Sequence, residues 1–211
     1  MMCVGVIRVV TATDREFLEQ HAERISRRFP QWNVLTDCIA GYPSGIPDET
    51  AAVQAAPAVV ATAWSLAGQG AQALIISCAA DPGLESVRHA LPLPVVGSGA
   101  AGAHTALALG RRIAVVSLNE QVTEAIASVL GSRLTAHIYA PGVETTHDLA
   151  NPSHRAALVE QALSRSDYDV LLLGCTGLST IGLAEELRPR TAVPVIDPID
   201  AAASALAVWQ L

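Results

Sequence analysis

The sequence predicts an α/β protein built as two pseudo-symmetric lobes, each a parallel sheet flanked by helices. Three observations predict it. Short, near-continuous apolar runs alternate with helical stretches along the whole chain, as strands buried on both faces and joined by helices require. The alternation then starts again in the second half. Finally, two segments match across that restart: Ala73-Leu-Ile-Ile-Ser-Cys78 and Val170-Leu-Leu-Leu-Gly-Cys175. Each is followed by a short helix, then Pro94-Val-Val-Gly97 or Pro194-Val-Ile-Asp197, then an Ala-rich helix. The cysteines lie 97 residues apart and the Pro-Val pairs 100 apart. A first lobe is expected from residues 1–97 plus 200–211, and a second from 98–199. Eight βα units closing into one barrel is the alternative arrangement. One reactive position per half fits two facing lobes better.

The elements follow in order. Val4–Val10 reads as a strand. Thr13-Asp-Arg-Glu16 has the spacing of a capping box and opens a helix that stops near Pro30. Trp32–Cys38 is a second strand. A Gly/Pro loop, Gly41 to Pro47, leads to a long helix capped by Asp48 and kinked at Pro57. Ala73–Ser77 is a third strand, ending at Cys78. A short helix, the strand Pro94–Val96 and an Ala-rich helix to Leu109 complete the first half. In the second half, Arg112–Ser117, Leu134–Tyr139, Val170–Leu173 and Val193–Ile196 are strands. Helices are expected over Glu120–Leu130, over His154–Ser164, after Cys175 through Leu187, and at the Ala-rich end. A loop with Pro141, Gly142 and Pro152 precedes the second of these.

At 211 residues the chain is long enough to bury a sizeable core. Hydrophobic residues make up 51% and charged residues 16%, a globular composition. Aromatics are only 4%, so alanine and branched aliphatics must fill the interior. The net charge is −7, and nucleic acid is not an expected partner. All 13 basic residues are arginine. Without lysine there is no side-chain Schiff base to a carbonyl substrate or to pyridoxal phosphate, and no Walker-type phosphate lysine. Arg8 interrupts the N-terminal apolar stretch before a signal-peptide core forms. Gln54, Pro57, Thr62 and Ser65 speak against a membrane span over Ala51–Gly68. Cys3, Cys38, Cys78 and Cys175 show no short C-x-x-C pairing, so free thiols in a reducing cytoplasm are expected. The six histidines are scattered singly, and no metal site is expected.

Cys3 and Cys38 read as small buried hydrophobes. Cys78 and Cys175 differ, because they hold equivalent places in the two halves. Each stands at the C-terminal end of a strand, where open α/β sheets place ligands, and faces the start of a helix. Backbone N–H groups and the helix dipole there are expected to lower the thiol pKa. If both thiols line one cleft, they put two acid/base groups on opposite faces of one carbon. One thiolate removes a proton, the other thiol delivers one to the opposite face, and a stereocentre inverts. The carbanion must be held as an enolate. The N–H groups of Ala79, Thr176 and Gly177 are the candidate oxyanion hole, where losing one donor costs about 3–4 kcal/mol.

These residues resemble the aspartate/glutamate/hydantoin racemase superfamily, over essentially the whole chain. Ser77-Cys-Ala-Ala-Asp-Pro-Gly-Leu84 is similar to the hydantoin and allantoin racemase branch, while Leu173-Gly-Cys-Thr-Gly-Leu178 is shared with the amino-acid racemase branch. The resemblance implies the aspartate/glutamate racemase-like fold with the last helix packed on the first lobe. It implies an isomerase that uses no cofactor, takes a small-molecule substrate and pairs Cys78 with Cys175 as acid and base. A homo-oligomer is expected. Five-substituted hydantoins or allantoin are the leading substrates; an aspartate/glutamate-type racemase or a maleate-type isomerase is the alternative.

Hydantoin racemases carry Asn-Pro-Asn-Thr after the first strand, and this chain has Arg8-Val-Val-Thr11. Thr11 keeps a substrate-binding position by this likeness. Arg8 either binds a substrate carboxylate bidentately or pairs with a structural carboxylate such as Asp14. Asp81 either accepts a hydrogen bond from a substrate ring N–H or caps a helix beginning at Pro82. Ser117 stands where the family often has a threonine near the substrate. Gly97-Ser-Gly-Ala-Ala-Gly102 fits a dinucleotide fingerprint by pattern alone and reads as tight strand-to-helix packing. From a different class, a thiol redox protein or a ligand-binding protein remains; redox use requires the two cysteine Cα atoms within about 7 Å.

Overall fold

The computed structural model describes residues 1–118, 120–143, 145, 148–149 and 151–209. Strands β1 (Cys3–Arg8), β2 (Asn33–Cys38), β3 (Ala73–Ser77) and β4 (Val95–Gly97) form one parallel sheet in the order β2-β1-β3-β4. Strands β5 (Ile113–Val116), β6 (Leu134–Ile138), β7 (Val170–Leu173) and β8 (Val195–Ile196) form a second in the order β6-β5-β7-β8. Two separate sheets of the same topology overturn the closed barrel. The two-sheet α/β class expected from the repeat is the observed one. The chain divides into two compact units, residues 1–98 with 199–211 and residues 99–198.

In the first unit the helices are α1 (Arg15–Arg28), α2 (Glu49–Gly68) and α3 (Leu84–Ala90). The expected cap is displaced by one residue, and it is a single-sided cap, not a box. Asp14, not Thr13, caps α1, its carboxylate accepting the Glu16 and Phe17 N–H groups at 3.0 and 3.3 Å. A carboxylate is the stronger partner at the positive end of a helix. Asp48 caps α2 as expected, accepting the Ala51 N–H at 2.8 Å. By length and composition α2 qualifies as a membrane-crossing helix. Its Ala52, Ala55, Val59, Ala63 and Leu66 are nevertheless buried, and α2 packs on β1, β2 and α3. Of these, Ala55, Val59, Ala63 and Leu66 join a core with Ile7, Val9, Ile39, Leu74, Ile76, Val87 and Leu91.

The second unit carries most of α4 (Ser98–Leu109), then α5 (Glu124–Leu130), α6 (Pro152–Ser164), α7 (Thr176–Thr180) and α8 (Leu183–Leu187). Helix α5 starts four residues later than expected. Thr123 is extended at the cap position, and its carbonyl accepts the first helical N–H groups, those of Ile126 and Ala127. The helix expected through Leu187 is broken in two by Gly182, whose φ of +68° suits glycine best. In the loop after β6, Glu144, Thr146, His147 and Ala150 lie outside the described residues. Leu158, Leu171, Leu173, Leu178, Leu183 and Leu187 fill the second core.

The repeat extends to side chains that the motif comparison passed over. Arg88 donates to the Val95 carbonyl at 3.1–3.3 Å and pairs with Glu85. Arg188 does the same to Val195 at 3.3–3.4 Å and pairs with Glu185. Each arginine thus ties its helix to the start of the last strand of its sheet. The final helix, α9 (Pro198–Val208), belongs to the first unit from Ile199 onward. Asp200 on α9 accepts two bonds of 2.8 Å from Arg24 on α1.

Candidate active site

Cys78 follows β3 directly and packs at the edge of the first core. The chain then turns sharply. The Asp81 N–H bonds the Cys78 carbonyl at 3.1 Å, and the Leu84 N–H bonds the Asp81 carbonyl at 3.2 Å. Asp81 has φ +48°, the only positive value outside glycine among the described residues, and Gly83 follows at +69°. Backbone strain of this kind clusters at functional sites. Asp81 does not cap the following helix: α3 starts at Leu84, with Gly83 at its cap position. Its buried carboxylate instead fills the space beside Gly97, where any Cβ would collide with it. Asp81 therefore lies just before the first turn of α4. Ala79 is buried in the turn itself.

Behind Cys78 lies a polar row. Cys38, Arg8 and Ser77 are in register across β2, β1 and β3. The Ser77 hydroxyl meets His21 Nδ1 of α1 at 2.6 Å, and His21 is 1% exposed. Arg8 is 4% exposed, and its Nη1 donates to the Phe17 and Leu18 carbonyls at 3.2 and 3.4 Å. Its guanidinium also stacks over the Phe17 ring, 4.8 Å from the centroid. The pairing with Asp14 is not formed, because that carboxylate caps α1. Burial lowers the Arg8 pKa to about 10, against a smaller opposing influence of Cys38, so the group stays charged at neutral pH. Thr11 donates its hydroxyl to the Ile39 carbonyl at 2.7 Å and accepts the Tyr42 N–H at 2.7 Å. It pins the loop after β2 to the end of β1.

In the second unit Cys175 follows β7 through Gly174. The Gly174 N–H bonds the Val116 carbonyl at 2.7 Å, and a Cβ there would stand 2.5 Å from Val115 Cγ1, so only glycine fits this approach. The Gly177 N–H, expected to serve an oxyanion hole, points at Cys175 Sγ at 3.4 Å. The expected lowering of this thiol is overturned. Burial pushes Cys175 up, and the Gly177 and Leu178 N–H groups offset this only in part. Thr176 is buried as the first residue of α7. The buried Ser179 hydroxyl has no hydrogen-bond partner among the described residues.

Ser117, just past β5, is held by its N–H to the Ile138 carbonyl at 2.9 Å. Its hydroxyl is in short contact with His137 Nε2 on β6. Burial lowers the His137 pKa, which keeps the imidazole neutral at pH 7. Within the first unit the structure thus gathers Arg8, Thr11, Ala79, Asp81 and Cys78 at one end of the sheet. Within the second it gathers Ser117, Cys175, Thr176 and Gly177 at the equivalent end. Sequence reasoning missed His21 and His137, because contacts across 56 and 20 residues leave no local signal. None of the four cysteines is in a disulfide. Among the described residues no cluster of three or more His, Cys, Asp or Glu could hold a metal.

The chain belongs to the Asp/Glu/hydantoin racemase family, whose profile matches residues 10–206. It is 30% identical to a hydantoin racemase of Rhizobium meliloti over 79% of this chain and 70% of that one. It is 29% identical to a hydantoin racemase of Paenarthrobacter aurescens over 62% of this chain. That match spans 58% of the relative's own length. An allantoin racemase from Pseudomonas fluorescens has the same fold, with a TM-score of 0.80 and 26% identity, covering 100% of this chain and 92% of that one.

Proposed function

We propose that this protein is a cofactor-independent racemase that inverts a carbon next to a carbonyl by two-base proton transfer between Cys78 and Cys175. One observation carries the reading: two sheets of the same strand order each lead from a third strand into a cysteine outside any disulfide, in a chain matched nearly end to end by a racemase family. Cys175, pushed up by burial, rests as the thiol and is the proton donor. Cys78 takes the substrate proton in that direction, and the roles exchange in the other. Proton transfer between thiols and carbon needs no lysine, and the chain has none.

The substrates are five-substituted hydantoins or allantoin. Hydantoin and allantoin racemases among the relatives support this. Arg8 supports it too. Its guanidinium is buried against α1 and Phe17, which removes the candidate clamp for the side-chain carboxylate of an acidic amino acid. Four cysteines without a disulfide suit a reducing cytoplasm.

The test is solvent exchange. Enantiopure 5-substituted hydantoins, allantoin, aspartate and glutamate are incubated in deuterated water, and loss of the α-proton is followed by NMR against a protein-free control. Exchange with concurrent loss of optical rotation is expected for the ring substrates. Exchange of none of them would sink the reading, and exchange of aspartate or glutamate alone would move the substrate class.

A further inference from the structure

A helix on the outside of a protein normally turns charged and polar side chains to water. Helix α2 does not. No residue from Thr50 to Ala80 is charged, in a chain of net charge −7. The inward side of α2 is in the first core, but only 33% of its most apolar 18-residue stretch is buried. The outward side is apolar. Val53 is 74% exposed and Trp64 55% exposed, with Pro57 exposed and Val60 half-buried between them. Positions 53, 57, 60 and 64 are spaced four, three and four apart, the spacing by which two helices pack along a seam. Gln54, Ala61, Ser65 and Gly68, exposed beside this stripe, are neutral as well.

We propose that this face of α2 docks a second copy of the chain, the two α2 helices lying antiparallel across a two-fold axis. Charge selects the occupant. Two acidic copies repel each other, and the charge-free face of α2 is where they meet without setting like charges together. An anionic membrane surface is the wrong partner, because an interfacial helix carries Lys or Arg on its polar face and α2 has neither. The stripe also complements itself. In a two-fold contact each residue pair occurs twice, and an antiparallel seam sets Trp64 of one copy against Val53 of the other, and Pro57 against Val60. Large then faces small at both ends. The same pairing matches polar groups. Pro57 has no N–H to give the Val53 carbonyl its helical partner, and Trp64 of the facing copy brings an indole N–H, which only donates. With 20 residues, α2 is about 30 Å long and about 10 Å across. That face forms the centre of an interface, and its flanks must supply the rest of the about 800 Å² that each partner gives to one of standard size. The dimer is therefore concentration-dependent.

The test is sedimentation equilibrium of the full chain from about 1 to about 200 μM, the weak end of the affinities that interfaces reach. The wild-type mass is expected to double across that range. Trp64→Arg and Val53→Glu each set a charge against an apolar side chain in the seam, and each should stay monomeric. Far-UV circular dichroism and the thermal midpoint of the monomer should be unchanged, since both side chains are exposed. The double variant, Val53→Glu with Trp64→Arg, should dimerise again, because the antiparallel register sets the two introduced charges opposite each other twice. Positions 53 and 64 lie about 16 Å apart along one helix, too far to pair within a single chain. A wild type that stays monomeric throughout, a dimer that survives Trp64→Arg, or a double variant that stays monomeric overturns the proposal. Flotation of the wild type with neutral or anionic phospholipid vesicles, lost in Trp64→Arg, would give the face to a membrane and overturn it equally. None of these readouts depends on racemisation, so the dimer and the racemase reading stand or fall separately.

Discussion

At Cys175 burial and backbone dipoles pull the thiol in opposite directions. The short helix behind it and the Gly177 N–H favour the thiolate, but burial favours the neutral thiol and wins. The pH profile of alkylation tests this. With Cys3, Cys38 and Cys78 replaced by alanine, the rate of iodoacetamide modification at Cys175 should rise with a midpoint above the ordinary thiol value of about 8.5. A midpoint at or below that value would show the N–H groups in control. Gly97 poses a second residue-scale question, because the Asp81 carboxylate occupies the space a Cβ would need. Gly97→Ala should cost about 1–3 kcal/mol, the usual penalty for overpacking, and should slow racemisation by disturbing the turn that holds Cys78. An unchanged denaturation midpoint would show that Asp81 moves aside freely. The two cysteines were legible in the sequence because the repeat places them in equivalent positions. The Asp81–Gly97 contact was not, because nothing local in Asp81-Pro-Gly distinguishes a helix cap from a side chain that reaches the next strand end.

The elements themselves followed from apolar runs and caps, and their errors have local causes. Asp14 outcompeted Thr13 as a cap, Thr123 delayed α5, and Gly182 split the helix after Cys175. What no pattern in α1 or α9 revealed is how the final helix is fastened. Arg24 and Asp200 form a bidentate pair at 2.8 Å with side chains only 11% and 16% exposed. Removing one partner of a mostly buried pair strands the other's charge. Arg24→Ala should therefore cost about 3–5 kcal/mol, or roughly 6–20 °C in Tm for a chain of this size. Replacing both residues with well-packed apolar side chains should recover much of that loss. A Tm within about 2 °C of wild type for Arg24→Ala would show the clamp to be incidental.

At the scale of the whole molecule, one repeat is expressed twice with different local chemistry. The strand order is the same in both units, and Arg88 and Arg188 make the same contacts 100 residues apart. The surroundings of the two cysteines differ. Cys78 is followed by a strained turn through Asp81, while Cys175 opens a short helix directly. A racemisation is equally two-sided, since each enantiomer is the other's product, and a two-base mechanism needs one thiol for each face of the carbon. Cys78→Ala and Cys175→Ala should then each reduce racemisation of both hydantoin enantiomers to the protein-free rate, measured by optical rotation from either starting hand. The folds should survive, because both side chains are small and sit at the edges of their cores. Full activity in either variant would refute the pairing. Loss in one variant with activity kept in the other would mean that a single thiol serves the reaction, leaving the other cysteine without a share in the chemistry.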